Sequence, residues 1–282
     1  MELELFGITD VGLEREHNED AYLLMPEADL CLVADGMGGH RAGDVASGLA
    51  VATIAEFFRA SESGDSTWPY RFDPTITFEE NRLLTAIQLA NAAILRQARS
   101  QSQQQGMGTT IVSLIASRTR SRLYVCHVGD SRCYRIRNES IEQLTVDHSL
   151  YNEYAQSMPE LGEERLAALP RNVITRALGM QEEVKVDLKQ VEAQLGDVYL
   201  LCSDGLSTMV PDARLLAVLK EQDYDLDKAL KALVTAALEA GGEDNISVVL
   251  ARVKGLTPRS SRSSRASLPG GKPEDEAPPS AG

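Results

Sequence analysis

Five aspartates recur in one setting. Asp20, Asp35, Asp130, Asp204 and Asp244 each occupy a turn beside glycine or asparagine, and each borders a run of β-prone residues. The clearest case is Leu30-Cys-Leu-Val-Ala-Asp35, an apolar run that ends in an acid and is followed by Gly36-Met-Gly-Gly39. The residues from Leu30 to Ala34 read as a buried strand, and apolar residues at helical spacing follow from 42. The glycines therefore fall between strand and helix, where backbone can approach a ligand closely. An isolated Asp-Gly of this kind is also compatible with a simple turn in which the acid caps a helix. Five repetitions ask for a common cause, and they require a fold that delivers strand ends to one place.

Along the chain, strands are expected at Leu3 to Asp10, Tyr22 to Met25, Leu30 to Ala34, Thr109 to Ala116, Arg122 to Val128, Cys133 to Ile136, Val184 to Val191, Asp197 to Cys202 and Ile246 to Val253. Helices are expected over 42–59, 79–99, 212–220 and 226–240. The acid-bearing turns at Asp20 and Asp35 flank a hairpin-like pair and open at the same end. Strand signals stop between Asp147 and Pro170, which reads as an excursion from the scaffold with mixed acidic and helical character. From about Thr257 the chain is rich in Ser, Arg, Pro and Gly and lacks residues for packing. The expected organisation is one domain over 1–254, with an excursion or flap over about 147–172, and a disordered tail over 255–282. Arg262-Ser-Ser-Arg-Ala-Ser-Leu268 in that tail reads as a solvated tether, or as a phosphorylatable segment.

Composition narrows the function. The 282 residues carry a formal charge of -14, too little positive charge for a general nucleic-acid binder. No apolar segment approaches the length that spans a bilayer, so a cytoplasmic protein without membrane attachment is expected. Cys31, Cys126, Cys133 and Cys202 are scattered without CxxC spacing, which suits buried thiols rather than disulfides or a zinc site.

Carboxylates converging on one site repel one another unless divalent cations neutralise them. Side-chain carboxylates with a glycine carbonyl are hard oxygen donors, suited to Mg²⁺ or Mn²⁺. Two such ions can activate water while stabilising a phosphoryl group under in-line attack, so the acids point to phosphoester hydrolysis.

The order and spacing of the segments resemble the metal-dependent serine/threonine protein phosphatases of type 2C, in their bacterial form. The resemblance covers roughly residues 5–253. It is carried by Arg15 with Asn18-Glu-Asp20, Val33-Ala-Asp-Gly-Met-Gly-Gly39, Gly108-Thr-Thr110, Val128-Gly-Asp-Ser-Arg132, Thr175-Arg-Ala-Leu-Gly179, Ser203-Asp-Gly-Leu206 and Asp244-Asn-Ile-Ser-Val248. The resemblance implies an α+β fold, a four-layer α/β/β/α sandwich of two mainly antiparallel sheets with the metals at one end. It implies that Asp35 bridges two ions, that the Gly36 carbonyl binds one, and that Asp204 and Asp244 complete the pair. Glu19 and Asp20 would act largely through water, and Asp130 with Asp204 would hold a weaker third ion. Arg15 would grip the substrate phosphate, as a guanidinium fork suits phosphate oxygens.

His40 is the candidate general acid, because imidazole titrates near neutrality. Some relatives place histidine directly after the Asp-Gly pair, where this chain has Met37, so a helix-start histidine without chemistry is the competing reading. His17, His127 and His148 read as packing or surface residues, and Thr109 and Thr110 as structural supports. Ser131 and Ser203 lie in no Gly-x-Ser-x-Gly elbow, which argues against a serine hydrolase.

The expected activity is hydrolysis of phosphoserine and phosphothreonine in proteins at a binuclear Mg²⁺ or Mn²⁺ centre, by a monomer opposing a bacterial Ser/Thr protein kinase. An idle phosphoprotein-binding module on the same fold and a hydrolase of small phosphoesters are the alternatives. Complete metal acids count against the first.

Overall fold

The computed structural model describes residues 1–38, 42–62, 69–70, 72–117, 119–158, 160, 162, 165, 169–170 and 173–256. Alternation of apolar side chains on strands buried on both faces builds two sheets that share an interior. In the strand β3 (Leu30–Met37), Leu30, Leu32 and Ala34 enter one apolar cluster, while Cys31 and Val33 enter another. The same division occurs in β10 (Val198–Cys202) and β11 (Ile246–Gly255). There Leu200 and Leu250 face outward to helices, while Leu201 and Val249 face the opposite sheet.

One sheet has the order β1 (Glu2–Asp10), β11, β10, β7 (Arg132–Arg137), β8 (Ser140–Gln143). The other has the order β2 (Asp20–Met25), β3, β5 (Ile111–Ala116), β6 (Arg122–Val128), β9 (Asp187–Glu192), with the short β4 (Gly108–Thr109) paired to β3. All these pairings are antiparallel.

Helices α1 (Ala42–Glu62) and α2 (Phe78–Ser100) cover the outer face of the β3 sheet through Ile54, Phe58, Leu83 and Ile87. A capping box starts α2: the Glu80 N–H donates to the Thr77 hydroxyl at 3.3 Å, and the Thr77 N–H donates to the Glu80 carboxylate at 2.7 Å. Beyond α3 (Leu150–Ser157) and the single-turn α4 (Asp204–Ser207) come α5 (Asp212–Glu221) and α6 (Leu226–Glu239). These last two cover the other sheet through Leu215, Leu219, Leu230 and Leu233. The result is the α/β/β/α sandwich, and the expected core strands and four long helices are all present.

Three local differences have physical reasons. β3 continues through Asp35 and Gly36 to Met37, because β4 pairs with Gly36 and Met37. β9 starts at Asp187 rather than Val184, since Val184 packs into the helix-side core outside the ladder. β8 was not expected, and it is joined to β7 by Asn138 and Glu139, both in the left-handed region without a glycine to announce the turn. The tail from 257 and most of 159–172 lie outside the described residues.

Candidate metal centre

Strand register brings the five aspartates to one end of the sandwich. Asp20 and Asp35 are direct cross-strand partners on β2 and β3. Asp35 shares its strand face with Cys31 and Val33, so it points between the sheets. Asp130 lies between β6 and β7, Asp204 opens α4 directly after β10, and Asp244 precedes β11. The sheets thus contribute acids from opposite sides.

Electrostatics record the convergence. Burial pushes Asp20 up to about 7, with Asp204 and Asp244 adding repulsion against hydrogen bonds from Ser203 and Ser247. Burial likewise holds Asp35 well above the ordinary carboxylate range, and Asp20, Asp204, Asp130 and Asp244 all push the same way. Asp130 rises to about 7 through burial and the neighbouring Asp204. Asp204 and Glu19 rise as well, burial being the main cause for each. Groups that raise one another in this manner cannot all ionise together without added positive charge.

Protein cations supply only part of that charge. Arg15 Nη2 lies 2.7 Å from Asp244 Oδ2 at the exposed rim of the cluster. Among the described residues the donors at this edge are carboxylates, with no histidine or cysteine among them, and so they fit hard divalent cations such as Mg²⁺ or Mn²⁺.

Around the acids, the backbone is fixed by short polar side chains. The Thr110 hydroxyl accepts the Asp35 N–H at 3.1 Å and pairs with the Ser131 hydroxyl at 2.7 Å, while the Thr109 hydroxyl donates to the Asp35 carbonyl at 2.8 Å. Ser203 Oγ donates to Asp20 Oδ2 at 2.7 Å. Asn245 joins three segments: its carbonyl oxygen accepts the Glu19 N–H at 2.7 Å, and its amide donates to the carbonyls of Val11 at 2.8 Å and His17 at 3.0 Å. At Gly36 a Cβ would stand 2.1 Å from the Gly43 carbonyl oxygen, so only glycine lets the end of β3 meet the start of α1.

A profile of the family described as protein phosphatase 2C matches residues 14–251. The serine/threonine phosphatase stp of Listeria innocua is 40% identical over 248 residues, spanning 86% of this chain and 92% of that protein. The chain belongs to the protein phosphatase 2C family. The crystal structure of the Mycobacterium tuberculosis serine/threonine phosphatase PstP/Ppp superposes with a TM-score of 0.75 at 33% identity, covering 90% of this chain and 100% of that one. The catalytic domain of PstP in complex with two manganese ions gives a TM-score of 0.73 at 33% identity, covering 90% of this chain and 99% of that one.

As a protein phosphatase 2C, the chain has its sequence-expected acids Glu19, Asp20, Asp35, Asp130, Asp204 and Asp244 on the loops and strand ends of one edge, with Gly36 beside Asp35 and Arg15 at the rim. His40 lies outside the described residues. His17 is exposed, whereas His127 and His148 are buried and form a cluster of their own with Asp187. The sequence had offered no role for Asn245. Its signal was its place in Asp244-Asn-Ile-Ser-Val248, a segment that carries the family resemblance, together with burial that demands partners for an amide.

A cavity of ≈ 680 Å³ adjoins the acids, lined by Asp130, Asp204, Arg132, Gln143, Asp147 and Tyr151 among others. No helix among the described residues is long and apolar enough to cross a membrane.

Proposed function

We propose that this protein is a serine/threonine protein phosphatase that hydrolyses phosphoserine and phosphothreonine in proteins at a centre of two Mg²⁺ or Mn²⁺ ions. The convergence of five aspartates from both sheets, four of them raised by burial and by neighbouring acids, carries the reading. Family membership and the two manganese ions of the PstP catalytic domain support it.

In this reading Asp35, the Gly36 carbonyl, Asp204 and Asp244 hold the two ions, Asp130 with Asp204 holds a weaker third, and Glu19 and Asp20 act through water. Bound there, divalent cations neutralise the carboxylates and supply Lewis acidity toward water and phosphoryl oxygens. Arg15 binds the phosphate, a role supported by the contact of its guanidinium with Asp244. Ser203 holds Asp20 in orientation, and Thr109 and Thr110 hold the Asp35 backbone. Water adds to phosphorus, the bond to the seryl or threonyl oxygen breaks, and that oxygen takes up a proton, for which His40 is the candidate donor. The cavity beside Asp130 has room for residues flanking the phosphosite. Opposition to a Ser/Thr kinase, a monomeric state and a cytoplasmic setting belong to the same proposal.

The test compares phosphate release from phosphothreonine peptides and from nucleoside monophosphates, each with Mn²⁺ or with chelator. Chelator-sensitive release that favours the peptides supports the reading. Preference for nucleotides would replace it with a small-phosphoester hydrolase, and no release from either by the folded protein would favour a binding module.

A further inference from the structure

Beside the turn of Asp130, a second cluster, buried at its two histidines, unites residues far apart in sequence. The rings of His127 and His148 stack with centroids 4.5 Å apart and planes inclined by 15°. His127 Nε2 lies 2.9 Å from the Val146 carbonyl, so it carries the hydrogen and donates. The Gly129 N–H donates to His148 Nδ1 at 3.0 Å, so that nitrogen carries the lone pair. The other nitrogen, Nε2, faces Arg176 Nη1 at 2.9 Å and Asp187 Oδ2 at 3.5 Å. Arg176 also pairs with Asp187 at 2.9 Å.

Two histidines and an aspartate at this spacing invite a reading as a cation site. The bonding opposes it. The Arg176 guanidinium already supplies the positive charge beside Asp187, and a neutral His148 whose Nδ1 accepts the Gly129 N–H has no second lone pair for a metal. The cluster is a clamp made of protein.

What it clamps is the turn of Asp130. Besides accepting the Gly129 N–H, His148 donates its own backbone N–H to the Gly129 carbonyl at 2.9 Å, so one residue satisfies both backbone polar groups of Gly129, the residue that leads into Asp130. Gly129 has a φ of +108°, and a Cβ there would lie 2.6 Å from Thr110, so the turn is tightly seated and open only to glycine. His148 also stands at a neck. Its carbonyl accepts the Thr175 N–H at 2.8 Å, and Leu150 N–H donates to the Val173 carbonyl at 2.8 Å.

We propose that His148 is a positioning residue, which fixes the Gly129 peptide and thereby sets how tightly Asp130 binds its cation. This inference rests on the reading of Asp130 as a ligand of the weaker third ion. A bond lost from the clamp lets Asp130 leave its position, and the cost falls on that ion alone, because among the described residues His148 has no bond to the segments carrying Asp35 or Asp244.

The test is Mn²⁺ titration by calorimetry, with phosphate release against Mn²⁺ concentration alongside, for the native chain and for His148→Ala, His148→Gln, His148→Asn and Asp130→Asn. An asparagine oxygen falls near the place of Nδ1, whereas a glutamine oxygen falls near that of Nε2. The expected result is an affinity for the weakest Mn²⁺ lowered by about tenfold in His148→Ala and His148→Gln, the scale of one hydrogen bond. The tighter ions are unaffected, and His148→Asn restores the native curve. A merely structural histidine would be rescued by neither amide or by both, and that outcome, or native binding in His148→Ala, overturns the proposal. If Asp130→Asn keeps every Mn²⁺ site of the native chain, the reading of Asp130 fails first and the proposal with it. Circular dichroism confirms that each variant is folded.

Discussion

At the scale of single residues, the site is built from charges that cannot coexist unaided and from short polar groups that hold them. Arg15 is half exposed and meets Asp244 across 229 positions of sequence. In the proposed role as phosphate ligand, its contribution is a charge-assisted fork, worth about 1.5–3 kcal/mol. Replacing Arg15 with alanine is expected to lower kcat/KM on phosphopeptides by roughly 10–150-fold, a factor that follows from that energy. Lysine restores only part, since a point charge does not reproduce the fork. Steady-state kinetics on a phosphothreonine peptide read the effect, and unchanged kcat/KM in Arg15→Ala would remove Arg15 from the site. The gathering of the acids at one edge was legible in the sequence, because Asp35, Asp130, Asp204 and Asp244 each have a glycine or asparagine neighbour and Asp20 follows Asn18 by two residues. His148 was not. Its partners Gly129, Arg176 and Asp187 are separated from it by loops and strands, and nothing in its immediate sequence reports a bond to a backbone N–H.

Among elements, the decisive relation is how strand ends are locked to one another. β3, β5 and the turn after β6 are joined by Thr110, whose hydroxyl accepts from the Asp35 N–H and pairs with Ser131. Thr110→Val keeps the shape and leaves both partners unpaired in a buried place. A loss of about 1–3 kcal/mol in unfolding free energy is expected. Denaturant titration measures it, and an unchanged midpoint would deny Thr110 this role. Strands with apolar residues on both faces were readable as such, which is why β3, β10 and β11 match their expected cores. The limits of reading were at the edges. Ser140–Gln143 forms β8 as an edge strand with polar side chains, and its turn lacks the glycine that ordinarily marks a hairpin. The extension of β3 past Asp35 depends on β4, a pairing across more than seventy residues that local propensity does not encode.

For the whole molecule, two sheets that share an interior place acids from distant parts of the chain at one edge, and this arrangement carries a cost when cations are removed. Burial raises Asp20 and Asp130 to about 7 from an ordinary value of 3.8. The unfolded chain therefore releases these protons near pH 4, while the folded chain keeps them until about pH 7. Across that interval the folded state holds more protons, so stability present below the unfolded pKa is lost as pH rises through the folded one. Metal-free protein is expected to melt at a lower temperature at pH 8 than at pH 5, by roughly 5 °C or more. Mn²⁺ should raise Tm more at pH 8, since cations compete with protons for the same oxygens. Equal stabilisation at both values would contradict a shared carboxylate site.

The central claim is that the aspartates gathered between the two sheets act together with divalent cations to hydrolyse phosphoproteins. The most direct measurement is phosphate release from a phosphothreonine peptide by the native chain and by Asp35→Asn, with Mn²⁺ and with chelator. Native release should depend on Mn²⁺ and vanish with chelator. It should fall by at least about a thousandfold in Asp35→Asn, or ~4 kcal/mol of transition-state stabilisation. That variant should still fold, because it removes a buried charge. Release at the native rate from Asp35→Asn, or native release indifferent to chelator, would contradict the account.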